Sequence, residues 1–203
     1  MYRLRRYIHY YSKMETAGKI IDLAFGFEGW VFGGYVRDNV VLKLNKVTDI
    51  DIVFPDWADI DLFIKTLGIF FGVHVYHDQM HEEGLYMSKC SKRLIKMEVD
   101  DVDVDLIVTN GGFHEWSNER STDLSCNLFY MTSSIPIGVR YVPYQFKHRA
   151  NIANYLIDLA KNQRFCQIYD EKSDNYEEKN MLKIEKRVEK MESRGWVIVC
   201  TCC

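Results

Sequence analysis

At 203 residues, with 47% hydrophobic and 14% aromatic content, the chain can bury one good core, and this composition excludes a disordered polypeptide. A net charge of -3 argues against a protein that coats nucleic acid nonspecifically, although Arg3, Arg5 and Arg6 make the front basic and Lys183, Lys186, Arg187, Lys190 and Arg194 the back. No segment reaches the roughly 18 continuous apolar residues of a membrane span, and the basic first residues lack a leader's apolar run, so the expectation is a cytoplasmic protein with no membrane partner.

In chain order, residues 15–28 predict a helix, WVFGG a short buried strand, and YVRDNVVLKLN a helix with Val36, Val40 and Val41 on one face. Residues 48–54 alternate as a strand, which Pro55 and Asp56 end. Asp56 is the expected cap of a helix carrying Ile60, Phe63, Ile64 and Leu67. Residues 69–78 read as another strand. KRLIKMEV and VDVDLIV alternate on either side of Asp100 and Asp101, a hairpin signal with two acidic residues at the turn.

Beyond residue 120 the pattern is mainly helical. TDLSCNLFYM opens on Thr122 or Asp123 as a cap, FKHRANIANYLIDLAKNQRF reads as a helix, and residues 174–194 as a stronger one. The last spaces Met181, Ile184, Val188 and Met191 along one face and stops at Gly195, with WVIVC as a closing strand. The expected organisation is a core over 1–140 and a helical C-terminal extension over 141–203.

The chemistry concentrates in the aspartates. On a strand, residues two apart share a face, so Asp49 and Asp51 stand side by side while Ile50 and Ile52 point into the core. If the VDVDLIV strand lies in the same sheet, Asp105 brings a third carboxylate. Like charges about 4 Å apart repel by about 4 kcal/mol at an effective dielectric near 20. A divalent cation relieves that cost, and hard oxygen ligands favour Mg²⁺. Gly33 and Gly34, between a strand and a helix, let the backbone approach a ligand closely, and the helix that follows offers N–H groups to an anion. A phosphate site beside a Mg²⁺ site points to nucleoside triphosphate chemistry.

GGYVRD at 33–38 followed by TDIDIVF at 48–54 resembles the head domain of tRNA CCA-adding enzymes and bacterial poly(A) polymerases, in the DNA polymerase beta-like nucleotidyltransferase superfamily. KMEVDDVDVDLIV is similar to the strand that carries the third carboxylate in the wider superfamily, which maps that ligand to Asp105, with Asp103 on the same face as second choice. STDLSCNLFYM resembles the family's Arg-Arg-Asp-Phe-Thr-Ile-Asn-Ala element and retains Asp123 and Asn127. Ser121 and Thr122 replace its two arginines, with Arg120 just upstream as a substitute. No Glu-Asp-x-x-Arg element follows, so a complete CCA-adding enzyme is not expected.

The resemblance covers roughly residues 20–135. It implies an α+β (α/β) fold, a nucleotidyltransferase-type mixed sheet flanked by helices, and transfer of a nucleoside monophosphate from ATP or CTP to a hydroxyl, an RNA 3′ end first, with loss of pyrophosphate. It also implies two Mg²⁺ ions, with Mn²⁺ as an alternative, on Asp49, Asp51 and Asp105. Gly33, Gly34, Arg37, Arg120, Asp123 and Asn127 would contact the nucleotide. Arg37 and Asp38 equally admit a structural ion pair. A protein or small-molecule hydroxyl acceptor, and a noncatalytic protein on the same fold, are the alternatives.

Other clusters read as ordinary surface. Asp59 and Asp61 diverge on a helix, His74, His77 and His81 straddle a strand end and a loop, and the charges of the last helix alternate in sign. The six cysteines, three of them Cys200, Cys202 and Cys203, form no secreted disulfide pattern and are expected as free thiols.

Overall fold

Alternation along the two acidic strands sends apolar side chains to one face and carboxylates to the other, and the computed structural model is organised around that pair. It describes residues 2–80, 91–111, 124–140, 150–168 and 178–200. The chain runs through α1 (Tyr2–Gly26), β1 (Trp30–Phe32), a short π-helical segment (Val36–Val41), β2 (Asp49–Phe54), α2 (Ile60–Phe70), β3 (Val73–Met80), β4 (Ser91–Val99) and β5 (Val102–Thr109). It continues through a 3₁₀ turn (Ser125–Asn127), β6 (Phe129–Met131), β7 (Gly138–Val139), α3 (Ile152–Lys161), β8 (Arg164–Cys166), α4 (Glu178–Glu192) and β9 (Val197–Cys200). Among the described residues no helix is long and apolar enough to cross a membrane.

The protein is α+β. Seven strands form one mixed sheet in the order β3-β4-β5-β2-β1-β6-β7, and β8 and β9 form a separate parallel pair. Among the described residues of the large sheet only β2 and β5 run parallel; the other neighbours are antiparallel. Ile50, Ile52 and Phe54 of β2 and Val104, Leu106 and Val108 of β5 fill one core with Ile20 and Ala24 of α1 and Phe63 and Leu67 of α2. Each fully buried Leu, Ile or Phe there contributes about 1.5–3 kcal/mol.

Several boundaries differ from expectation for local reasons. Asp59, not Asp56, caps α2, its carboxylate accepting from the Leu62 N–H at 2.9 Å. Ile69 and Phe70 belong to α2, so β3 starts only at Val73. SCNLFYM is a 3₁₀ turn followed by a strand rather than a helix. β1 has β2 on one edge only, and β6 satisfies the backbone groups of the other. After residue 140 the chain contributes β8 in addition to the expected closing strand, β9. Leu156, Phe165, Met191 and Trp196 from that segment join the same core as the sheet.

The β4–β5 hairpin turns on Asp100 and Asp101, at φ +45° and +63°. Left-handed backbone is tolerated by aspartate and costs most residues roughly 1–2 kcal/mol. Asp100 also accepts a hydrogen bond from the Gly72 N–H at 2.8 Å, and the Asp101 carbonyl accepts one from Lys13 Nζ at 2.6 Å. Asp101→Val is therefore expected to lower unfolding stability by about 1–2 kcal/mol in a urea titration. Asp101→Gly, which removes the steric cost and keeps the carbonyl, should unfold at the same midpoint or higher.

Candidate functional site

The parallel pairing of β2 with β5 sets Asp49 opposite Asp103 and Asp51 opposite Asp105. Directly opposed residues share a face and lie about 4.8 Å apart across the sheet, so four carboxylates stand together on the side away from the core. The antiparallel β4 then sets Lys96 opposite Asp105 and Glu98 opposite Asp103. On the other flank Phe32 of β1 lies opposite Asp51, and Tyr130 of β6 opposite Phe32. One row across the sheet thus reads His77, Lys96, Asp105, Asp51, Phe32, Tyr130.

Burial differs among the carboxylates. Asp49 is exposed and accepts a hydrogen bond from the Thr48 hydroxyl at 2.6 Å. Asp51 is partly buried, and burial together with the charges of Asp49 and Asp105 pushes its carboxyl up to about 7, against the opposing pull of Lys96 and Arg140. Asp105 accepts a hydrogen bond from the Lys96 ammonium in a tight ion pair. Burial alone would lower the lysine, but the bond and charge of Asp105 outweigh it, and the net shift is upward.

Arg140, just after β7, is 8% exposed and lays its guanidinium over the Phe32 ring at 5.0 Å from the centroid. Burial pulls it down to about 9, opposed by the charge of Asp51. At neutral pH it remains a cation beside the buried end of the carboxylate row. Neither Lys96 nor Arg140 was among the expected site residues.

Gly33 touches this cluster directly. Its φ is +72°, and a Cβ there would sit 3.1 Å from Asp51 Oδ2, so glycine is required both by the backbone and by the carboxylate. Its N–H donates to the Phe129 carbonyl at 2.9 Å, which commits that amide to the protein rather than to a phosphate. A Cβ on Gly34 would meet only Arg37 Nη2, at an ordinary 3.7 Å.

Arg37 takes the structural alternative. It is 4% exposed, donates from Nε to Asp38 Oδ1 at 2.6 Å and from Nη2 to Asp38 Oδ2 at 2.8 Å, and gives Nη1 to Asn127 Oδ1 at 2.8 Å. Its guanidinium lies 5.4 Å from the centroid of the Trp196 ring. Arg37 thus sits in a buried clamp, and the Asn127 carbonyl is engaged in the same clamp. Arg120, Asp123 and His81, with Cys202 and Cys203, lie outside the described residues. Asp61 pairs with Arg93 at 3.0 Å, as a solvated helix face would.

Among the described residues no group of three or more histidine, cysteine, aspartate or glutamate side chains is arranged to hold a metal ion. The expected triad is in register along the backbone, but Lys96 has drawn Asp105 to itself and Thr48 holds Asp49. The donor set nevertheless suits a hard divalent cation: it is all carboxylate oxygen, and an ammonium already stands on one of the carboxylates as a surrogate cation.

Fold and site together define an α+β protein whose seven-stranded mixed sheet carries an acidic row on its outer face. Compared with protein-family models and with curated proteins, the sequence matches none.

Ionised Asp51 works against the fold. Its ordinary value is 3.8 and its folded value about 7, so the penalty is absent below pH 3.8, grows as pH rises through that interval and is constant above it. Asp51→Asn, which keeps the shape and removes the charge, is expected to raise the melting temperature in chelator by about 5 °C or more at pH 8. At pH 5 the gain should shrink to less than half. Thermal melts at the two pH values check it, and an equal gain at both would contradict the assigned cause.

Proposed function

We propose that the chain is a metal-dependent nucleotidyltransferase of the superfamily it resembles, with that family's type of sheet. It moves a nucleoside monophosphate from ATP or CTP to a hydroxyl, an RNA 3′ end in the first instance. The observation that supports this reading is the register of the two acidic strands, which aligns Asp51 with Asp105 and leaves Asp49 on the same face.

In this reading Asp49, Asp51 and Asp105 hold the divalent cation. Bound Mg²⁺ would neutralise triphosphate charge and lower the pKa of the acceptor hydroxyl. The acceptor oxygen bonds to the α-phosphorus, the α–β anhydride bond breaks, pyrophosphate leaves, and the hydroxyl proton passes to a carboxylate oxygen of Asp105. Gly33 keeps the backbone clear of Asp51, and Gly34 leaves space for the phosphates. Arg140 supplies, next to Asp51, a cation of the kind that the replaced motif arginines would have brought.

The alternative of a fold without turnover draws on one observation, the engagement of Arg37 and Asn127 within the protein. One experiment separates the readings. Purified protein is incubated with Mg²⁺, each labelled NTP in turn, and small RNAs including tRNA lacking its 3′ end, beside an Asp49→Ala, Asp51→Ala double variant. Labelled RNA is expected, falling by about 100-fold or more in the variant, on the scale of losing one preorganised electrostatic group. Label on polypeptide or small molecule alone would move the acceptor away from RNA. No label from folded protein would overturn the enzymatic reading.

A further inference from the structure

The cation already present in the acidic row belongs to the protein. Lys96 lies on β4 directly opposite Asp105, and its ammonium donates to Asp105 Oδ2. Asp51 is the next residue in the same row, so the ammonium stands against one of the two carboxylates between which a divalent ion would have to sit. Both partners of the pair keep solvent access, at 38% and 28% side-chain exposure, so the lysine is not locked in by packing.

There is also somewhere for it to go. Two residues along the same face, Glu98 of β4 is opposite Asp103 of β5. The rise over two residues is about 6.8 Å, within the sweep of a flexible four-carbon stem. Lys96 can therefore trade one carboxylate for another without leaving a charge unpaired.

We propose that Lys96 is the resident counter-ion of the site, holding Asp105 in the metal-free protein and vacating it for the Asp103 and Glu98 carboxylates when a divalent cation binds across Asp51 and Asp105. The inference rests on the metal reading above and adds to it a residue that sets metal affinity by competition. Lys96 is a positioning residue here: it acts through the Asp105 carboxylate, whose direction it governs.

The test uses Mn²⁺ alone, without nucleotide, titrated into the whole chain and followed by the electron paramagnetic resonance of free Mn²⁺. Lys96→Met keeps the stem and removes the charge, and is expected to bind Mn²⁺ about tenfold more tightly than wild type, which corresponds to 1.4 kcal/mol. Lys96→Arg, which retains a cation, should stay near wild type or weaker. In wild-type protein labelled with ¹³C-lysine, one Cε resonance, assigned through its loss in Lys96→Met or Lys96→Arg, should shift as Mg²⁺ is added. Equal or weaker binding by Lys96→Met, with wild type binding Mn²⁺ through Asp51, would overturn the competition while leaving the metal reading intact. Absence of Mn²⁺ binding in every variant would remove both. If Lys96→Met fails to fold, the resonance, assigned in Lys96→Arg, decides: a Lys96 signal unmoved at metal saturation overturns the proposal.

Discussion

The parallel pairing of β2 with β5 is the constraint on which the rest of the structure depends. It is held from the core side, where Ile50, Ile52, Val104 and Leu106 are fully buried, and it is opposed from the other side, where Asp49, Asp51, Asp103 and Asp105 face one another. A one-residue slip of either strand would send its carboxylates into the core and its aliphatic side chains into water. Apolar burial thus fixes a register that electrostatics alone would reject. Two carboxylates about 4.8 Å apart repel by about 3–4 kcal/mol at an effective dielectric near 20. Natural sequences seldom keep such a term unless the site uses it.

A second node ties the glycine loop to the C-terminal segment. Arg37 reaches Asp38 beside it, Asn127 on the 3₁₀ turn and the Trp196 ring before β9. A buried guanidinium with both edges satisfied is costly to break, because removing one partner leaves the charge stranded. The loop that carries Gly33 against Asp51 is therefore braced by residues from two distant parts of the sequence. In keeping with that bracing, Leu156, Phe165, Met191 and Trp196 share the core of the sheet.

Much of this was legible from the sequence, and the limits follow from the range of the interactions. Period-two alternation located β2, β4 and β5, and the aspartate pair located the turn. A two-residue turn at 100–101 pairs 99 with 102 and hence 96 with 105, so the partnership of Lys96 with Asp105 was already implied by the hairpin. The motif drew attention to the acids and left the lysine beside them unread. Arg140 was not legible in the same way, because it reaches Asp51 through the packing of β7 and β6 on β1, a tertiary path with no local signature. The helix expected over SCNLFYM failed for a related reason: the need of β1 for a second neighbour outweighed local pattern. Arg37 was recognised as ambiguous, and its contacts with Asn127 and Trp196 come from parts of the chain that no local pattern connects to it.

The two cations of the acidic face differ in a way that matches two different tasks. Arg140 is buried, stacked on Phe32 and held at the end of a short strand, so its charge is a fixed part of the environment of Asp51. Lys96 has a flexible stem, a compact ammonium and partial access to water, so its charge can be relocated. Exchanging the two residue types would reverse this. A lysine at 140 would lose the planar stacking that seats a buried cation, and an arginine at 96 would grip Asp105 with a fork that leaves less readily. The face combines a permanent positive charge at its buried end with an exchangeable one at its open end. Under the proposed chemistry, that gradient lets the row remain folded without metal and still admit it from the solvent side.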